Sequence, residues 1–126
     1  MIYIDYKDSR PLYEQISSKL SELILHGVFE VDSQLPSVRN LAMELSINPN
    51  TIQKAYAELE RRGYIYSVKG KGNFVSDTKM LQEEKKMDII KQMQALIEEA
   101  KRLGIGLDEM KAVMEQSYGS LDNSTK

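Results

Sequence analysis

The stretch NPNTIQKAYAELERRGYI, residues 48–65, decides how the rest of the chain is interpreted. Asn48 is a good N-cap residue, and Pro49 suits the first helical position, where its missing N–H is no loss. Helical spacing continues to Gly63, a typical helix end, and the predicted buried face comprises Ile52, Ala55, Tyr56 and Leu59. A single cap would suffice to start such a helix. We therefore expect a second role for the polar side chains that follow it, Asn50, Thr51 and Gln53.

A shorter helix is predicted immediately before this one, in LPSVRNLAMELSI, residues 35–47. Ser37 can cap it, and a short apolar stripe follows at Val38, Leu41, Ala42 and Leu45. Only Ser46 and Ile47 separate the two helices. A short helix, a tight turn and a longer helix form a helix-turn-helix.

The segments on either side extend this motif. Residues 10–27, RPLYEQISSKLSELILHG, have the apolar spacing of a further helix that ends at Gly27, and residues 28–34 are predicted as a loop or a short extended piece. Residues 64–77, YIYSVKGKGNFVSD, carry β-branched and aromatic residues around Gly70 and Gly72, which predicts a β-hairpin. Three helices followed by a hairpin is the order of a winged helix-turn-helix.

The residue pattern changes after Asp77, from that of a hairpin to that of long helices. Residues 80–104 predict an amphipathic helix, and Leu107–Gln116 a second, shorter one with Met110, Val113 and Met114 facing inward. Two such helices cannot bury enough surface to fold alone, so we expect them to pack against a second copy of the chain. A heptad-like seam between the copies would then set the spacing of their helix-turn-helix units. The dimer contacts predicted for this seam are Met87, Ile90, Met93, Ile97, Met110 and Met114.

The predicted fold class is therefore α+β and mostly α. A winged helix-turn-helix domain occupies residues 1–78, a helical hairpin that serves as a dimerisation segment occupies residues 79–118, and a disordered tail occupies residues 119–126.

The composition excludes several function classes. Among 126 residues there is no cysteine, which excludes disulfides and thiolate-bound metals, and the only histidine, His26, lies at a helix end. We find no nucleophile–base set, metal-ligand cluster or paired carboxylates, and therefore expect no catalytic residues, no metal, no cofactor and no enzymatic activity. The glycines of KGKGNF do not match a phosphate-binding loop, because Ile65 and Gly72 stand where that motif needs glycine and Ser or Thr.

Sustained apolar runs are also missing. No segment approaches the length needed to span a bilayer, and MIYIDYKDSR does not resemble an export signal. We expect no membrane partner and a cytoplasmic location.

Charge is distributed unevenly along the chain. The formal net charge is -2, yet residues 35–75 contain six cations against three carboxylates. A helix N-terminus offers free N–H groups and a positive dipole end to phosphates, and Asn or Gln side chains can read adenine in the major groove. We therefore predict contact with double-stranded DNA through the helix tip, and rank Arg39 and Lys54 above Arg61 and Arg62, which lie at a helix end.

Five motifs, PLYEQI, LPSVRNLA, NPNTIQKAY, LERRGYI and GKGNFV, are similar in order and spacing to the N-terminal domain of GntR-family bacterial transcription regulators. The short tail resembles that of the YtrA-like subgroup. The resemblance implies a repressor that binds a palindromic operator as a homodimer, with the recognition helix in the major groove and the wing on the minor groove. Members of this subgroup often lie beside transporter genes, which implies control of a transporter operon.

The resemblance also implies roles for individual residues. Arg39 matches an arginine that contacts DNA, and Ser37 matches a capping serine. The recognition helix would contribute Asn48, Asn50, Thr51, Gln53 and Lys54, and the wing tip Lys69, Gly70, Lys71 and Gly72.

Three positions depart from the family pattern. Pro49 and Gln53 stand where the family often has arginine, so we predict modest reading of base edges and a contribution from DNA shape. Ser33 stands where we place the family's glycine before the LPS motif, which leaves the conformation of that turn open.

A second hypothesis is a winged-helix adaptor that binds a protein and not DNA. Charge reversal at Arg39 and Lys71 separates the two hypotheses, because it would abolish DNA binding and leave the dimer intact. The sequence indicates no particular small-molecule effector, and the tail offers little room for an enclosed pocket.

Overall fold

The structure is a computed structural model that describes the backbone of residues 2–125 and the side chains of residues 2–119. Its elements are α1 (Leu12–Leu25), α2 (Val38–Leu45), α3 (Pro49–Arg61), β1 (Ile65–Val68), β2 (Gly72–Val75), α4 (Lys79–Arg102) and α5 (Leu107–Thr125). They divide between two compact units, an N-terminal unit, Met1–Gln82, and a C-terminal unit, Glu83–Lys126. The N-terminal unit ends a few residues past the predicted boundary at residue 78, because the first turn of α4 belongs to it.

The N-terminal unit has one hydrophobic core, in which α3 packs against α1, α2 and β1. Its fully buried side chains include Ile16, Ile52, Tyr56, Leu59 and Val75. All four positions of the predicted inward face of α3 are buried there. This order of helices and hairpin confirms the winged helix-turn-helix.

The turn between α2 and α3 has the tight geometry expected of a helix-turn-helix. Ser46 takes the left-handed conformation, with φ 55°, and the Ile47 N–H donates to the Ala42 carbonyl at 2.9 Å. The Tyr56 hydroxyl donates to the Pro36 carbonyl at 2.7 Å, which ties the segment before α2 to the middle of α3. The two helices are therefore fixed relative to each other both at their turn and across their faces.

Residues 32–35, here called the strap, form a third extended segment beside the hairpin. β1 and β2 pair antiparallel, with Ile65 opposite Val75 and Val68 opposite Gly72. On the other edge of β2, the N–H groups of Asp32 and Leu35 donate to the carbonyls of Val75 and Asn73 at 2.7 and 2.9 Å. Of the two alternatives left open for residues 28–34, the extended one therefore holds for the end of the segment.

The strap begins with a left-handed residue, which decides the turn conformation that the sequence left open. Asp32 has φ 66°, whereas Ser33, the position matched to the family's glycine, is not among the positive-φ residues. Aspartate tolerates this conformation better than most side chains, because its short polar group can bond locally. The Asp32 carboxylate accepts a hydrogen bond from the Tyr66 hydroxyl at 2.7 Å.

The C-terminal unit contains most of α4 and all of α5. α5 extends to Thr125, beyond the end predicted at Gln116. The disordered tail was predicted for residues 119–126, and the side chains of residues 120–126 lie outside the described residues. From Glu83 to Gly119 no side chain is buried, and only Ala100 and Met110 are half-buried. The expectation that Val113 and Met114 face inward is wrong for the single chain, in which they are 64% and 49% exposed. The described residues of these two helices therefore form no hydrophobic core of their own.

Within the part of the chain that the structure describes, no helix combines the length and the apolar character needed to cross a membrane.

Candidate nucleic-acid interface

The tip of α3 is a polar, exposed turn. Asn48, Asn50 and Gln53 are exposed and Thr51 is half-buried, while Ile52, between Thr51 and Gln53, is completely buried. Alternation of this kind follows from the helical period, because one face must cover the core and the other is left to solvent. The structure therefore brings together the four polar residues of the recognition turn that were predicted from the sequence.

The backbone at this tip corrects the expectation of free N–H groups at the start of α3. The Asn48 side chain caps the helix, since its Oδ1 accepts the Asn50 N–H at 2.8 Å. The N–H groups of Thr51 and Ile52 both donate to the Asn48 carbonyl, at 3.0 and 3.4 Å, and Pro49 has no N–H. The first-turn amides are thus already bonded within the chain. Donors to a phosphate or a base must come from side chains, namely the amides of Asn48, Asn50 and Gln53 and the Thr51 hydroxyl.

The start of α2 presents a capping serine and an exposed arginine. The Ser37 Oγ accepts the Asn40 N–H at 3.1 Å, which confirms Ser37 as the N-cap. Arg39 is exposed in the first turn of α2, and no carboxylate of the described residues lies within ion-pair distance of it. An uncompensated guanidinium on the surface is available to a phosphate.

The hairpin presents its lysines at a tight turn. The Lys71 N–H donates to the Val68 carbonyl at 2.9 Å, and the turn needs Gly70 at φ 77°, a left-handed conformation that favours glycine. Lys69 and Lys71 are exposed on either side of Gly70. The four predicted residues of the wing tip therefore form one positively charged turn, in which all but the half-buried Gly72 are exposed.

Lys54 is held by an aromatic partner that the sequence did not reveal. Its Nζ lies 4.1 Å from the centroid of the Tyr13 ring, in a cation–π contact between α3 and α1. Tyr13 is half-buried and packs against the hydrophobic core. It lies three positions before Ile16 on the apolar face of α1, and nothing in that spacing indicated the contact with Lys54. The contact fixes the direction of the ammonium group while Lys54 stays exposed.

The arginines at the other end of α3 have partners within the chain. The Arg61 Nε donates to Glu58 Oε2 at 3.1 Å, and the Arg62 guanidinium lies over the Tyr64 ring at 5.1 Å. Arg61 lies about 18 Å along the helix from Pro49 at 1.5 Å per residue. This supports ranking both arginines below Arg39.

Two tyrosines have shifted ionisation. Burial raises the pKa of Tyr56 to about 12, because the phenolate would have to form in the core. The hydrogen bond to Asp32 raises the pKa of Tyr66, whose ring also stacks on Phe74 at 5.7 Å between centroids. Both hydroxyls therefore stay protonated at neutral pH and act as donors that hold segments of the N-terminal unit together.

Known proteins resemble this chain in the same region. The model of the gntR family of bacterial regulatory proteins matches residues 12–75. The HTH-type transcriptional repressor YtrA of Bacillus subtilis is 44% identical over 112 residues, which cover 87% of this chain and 86% of that protein. This match confirms the resemblance to the short-tailed YtrA-like subgroup.

Solved structures agree in fold. A GntR family transcriptional regulator from Listeria monocytogenes is 39% identical, with a TM-score of 0.67 over 90% of this chain and 98% of that one. The DNA-binding domain of AraR, solved in complex with operator ORE1, is 29% identical, with a TM-score of 0.52 over 60% of this chain and 93% of that one. With a family model that covers half of its length and a repressor that matches most of it, this chain belongs to the gntR family of bacterial regulatory proteins.

Proposed function

We propose that this protein is a transcriptional repressor that binds a palindromic operator as a homodimer. The observation that carries the proposal is the joint exposure, on one compact unit, of the polar α3 tip, Arg39 and the wing lysines. Side-chain amides and a hydroxyl suit phosphates and base edges. The guanidinium and ammonium groups, which form no ion pair with a described carboxylate, suit phosphates. The AraR domain bound to its operator supports this use of the fold.

The second copy is proposed because of the apolar surface of the C-terminal unit. Ile90, Met93 and Ile97 are between 39% and 54% exposed, and Met87, Met110 and Met114, the other proposed dimer contacts, are also at least partly exposed. A single chain that keeps these groups in water forgoes about 25 cal/mol for each Å² of apolar area it could bury. A second copy would cover them.

The breadth of the apolar stripe on α4 favours more than one neighbouring helix. At 100° per residue, the positions of Ile89, Ile90, Met93, Leu96 and Ile97 span an arc of about 120°. A seam between only two helices is narrower than this. Two copies contribute two α4 and two α5 helices, enough for each α4 to contact more than one partner.

A palindromic operator follows from the twofold symmetry of such a dimer. Helix-turn-helix dimers place their recognition helices about 34 Å apart, one turn of the duplex, so each half-site faces one copy. On the resemblance to the YtrA-like subgroup alone, we extend the proposal to a transporter operon as the regulated unit. Transcript levels in a strain that lacks the gene would test this extension.

Binding to the chain's own upstream region tests the proposal directly. Labelled duplexes that tile this region are titrated with the protein at moderate salt and with nonspecific competitor, and the mass of the free protein is measured by light scattering. We expect a dimer and one preferred fragment that contains an inverted repeat. A monomer without any preferred fragment would refute both the dimer and the sequence-specific function.

Charge reversal then separates a repressor from a protein-binding adaptor. Arg39→Glu together with Lys71→Glu should weaken DNA binding roughly 100-fold or more, because two charge-assisted contacts become repulsive. The dimer should stay intact. The matched control is Arg61→Glu with Arg62→Glu, which changes the net charge equally at the other end of α3 and should bind almost as tightly as the unaltered protein. Equal losses in the two pairs would show that net charge, and not the proposed surface, drives binding.

A further inference from the structure

The wing tip is held by a side chain from the strap. Gln34 donates from Nε2 to the carbonyl of Lys71 at 2.8 Å, across 37 positions of sequence. Its backbone forms an antiparallel bridge with Phe74 on β2. The bond thus reaches past the paired region of the strap to the turn that carries the two lysines.

We propose that Gln34 is a positioning residue for DNA binding by the wing. By holding the Lys71 carbonyl, it fixes the turn of residues 68–72 and with it the directions of Lys69 and Lys71. This inference rests on the proposed function, since the wing must contact a duplex for its direction to matter.

Close packing around the bond supports a specific role. A Cβ added at Gly72 would lie 2.8 Å from the Gln34 Nε2, which is closer than a real Cβ contact. Gly72 also has φ 124°, a conformation that favours glycine. The backbone conformation at this position favours glycine, and the missing side chain also leaves room for the glutamine amide.

The rest of the strap connects this bond to the helix-turn-helix. Leu35 is buried in the core, and the Pro36 carbonyl accepts the hydrogen bond from Tyr56 of α3. Gln34 directly precedes these anchored residues, so its backbone is held in place. The hydrogen bond from its side-chain amide to the Lys71 carbonyl therefore restrains the wing tip relative to α3. Hydrogen bonds from Tyr66 to Asp32 and from Ser67 to Glu60 hold the stem of the hairpin and not its tip.

Two substitutions at Gln34 test the inference on the full-length protein. Gln34→Ala removes the side chain, and Gln34→Met keeps its length and removes the donor. The matched control is Ser33→Ala, which removes a strap hydrogen bond, from the Ser33 hydroxyl to the Glu30 carbonyl, that does not reach the wing. Affinity for the preferred upstream fragment is measured at several salt concentrations, together with the thermal unfolding of each variant.

Both Gln34 variants should bind roughly 2- to 10-fold more weakly, which corresponds to the loss of one hydrogen bond. Their salt dependence should become shallower, by about 0.9 in the log–log slope for each phosphate that the wing no longer neutralises. Ser33→Ala should match the unaltered protein in both respects, and thermal unfolding should be unchanged, because Gln34 is exposed. Unchanged affinity and slope for both Gln34 variants would overturn the inference.

The decisive test repeats the Gln34 substitution in a protein that lacks both wing lysines. In a protein that carries Lys69→Ala and Lys71→Ala, measured at low salt, Gln34→Ala should cause less than about a 2-fold further loss, because there is no lysine left to position. A loss as large as in the unaltered background would show that Gln34 acts without the lysines and would also overturn the inference. If the unaltered protein binds no fragment, the proposed function itself fails, and this inference with it.

Discussion

The two units of this chain use the same helical pattern for different purposes. On α3, the apolar positions Ile52, Ala55 and Leu59 are completely buried, whereas on α4, Ile90 and Met93 are 54% and 45% exposed. In both helices the apolar residues recur at helical spacing and form a stripe along one face. The difference is that α3 has α1, α2 and β1 of its own chain to pack against.

The N-terminal unit thus forms a core within the single chain, whereas the C-terminal unit leaves most of its described apolar side chains exposed. The polar α3 tip and the wing lysines remain exposed on the surface of the N-terminal unit. No side chain from Glu83 to Gly119 is buried, so the C-terminal unit requires a second surface to become stable.

The largest effect is expected from the apolar stripe of α4. Ile90→Glu together with Ile97→Glu places charges where the second copy would pack, and should convert the dimer to a monomer in light scattering. Loss of the linked second site should weaken operator binding about 100- to 10,000-fold. Thermal unfolding of the N-terminal unit should not change, because neither residue belongs to it.

The control for this pair is Lys91→Gln with Ala95→Glu, which lowers the net charge by the same amount at exposed positions outside the stripe and should leave the dimer intact. If the stripe variant remains a dimer, the proposed seam is wrong.

The same substitution in the two units should have unequal costs. Leu59→Ala removes a completely buried side chain and should lower the free energy of unfolding of the N-terminal unit by about 2–5 kcal/mol. Leu96→Ala, at a side chain that is 66% exposed, should leave that free energy unchanged. Denaturant titration at low protein concentration measures both. Similar costs would remove the contrast between the units.

Tyr56 gives the N-terminal unit a pH-dependent stability. Its pKa is raised to about 12 in the folded state, so its contribution is fully present below pH 10 and is lost as the pH rises to about 12. A shift of this size corresponds to a loss of about 3 kcal/mol. The Tyr56→Phe variant should not show this part of the loss of stability at alkaline pH. At neutral pH, its free energy of unfolding should be lower by about 1–3 kcal/mol, because the Pro36 carbonyl loses its donor.

Urea unfolding of both proteins between pH 8 and pH 12 measures the difference. Tyr118→Phe, at an exposed tyrosine of the C-terminal unit, is the matched control and should follow the unaltered protein. An alkaline loss of stability that is identical in Tyr56→Phe and the unaltered protein would contradict the assignment.

The smallest effects are expected from single base pairs of the operator. The α3 tip offers amides and a hydroxyl but no arginine, so most substitutions should cost less than about 1 kcal/mol, below the usual 1–3 kcal/mol. DNA shape should supply part of the specificity. Affinities for all single substitutions of the preferred fragment measure this. Large losses confined to one or two guanines would contradict it.

Local signals in the sequence predicted most of the fold and much of the candidate site. The caps at Ser37 and Asn48, the short turn at Ser46 and the glycine turn of the wing all depend on residues close in sequence. Such features can be inferred from a cap, a glycine or a helical period because their interactions close within a few residues.

Contacts between distant segments were not predictable in the same way. Pairing of the strap with β2, the bond from Gln34 to Lys71 and the contact of Lys54 with Tyr13 each join residues that no periodicity relates. The expectation of free N–H groups at the α3 tip also failed, because the Asn48 side chain and carbonyl already accept them. Deciding that point required the atomic positions of the cap.

The amino-acid sequence by itself determined the order of the elements, their apolar faces and the polar residues of the recognition turn and the wing. Each of these depends on side-chain chemistry at fixed spacing along one segment. Only the tertiary structure decided which donors remain available at the α3 tip, which side chain contacts the wing turn and which apolar stripe stays exposed among the described side chains. Those outcomes depend on how distant segments meet in space, and a hydrogen bond or a buried contact exists only when both partners arrive together.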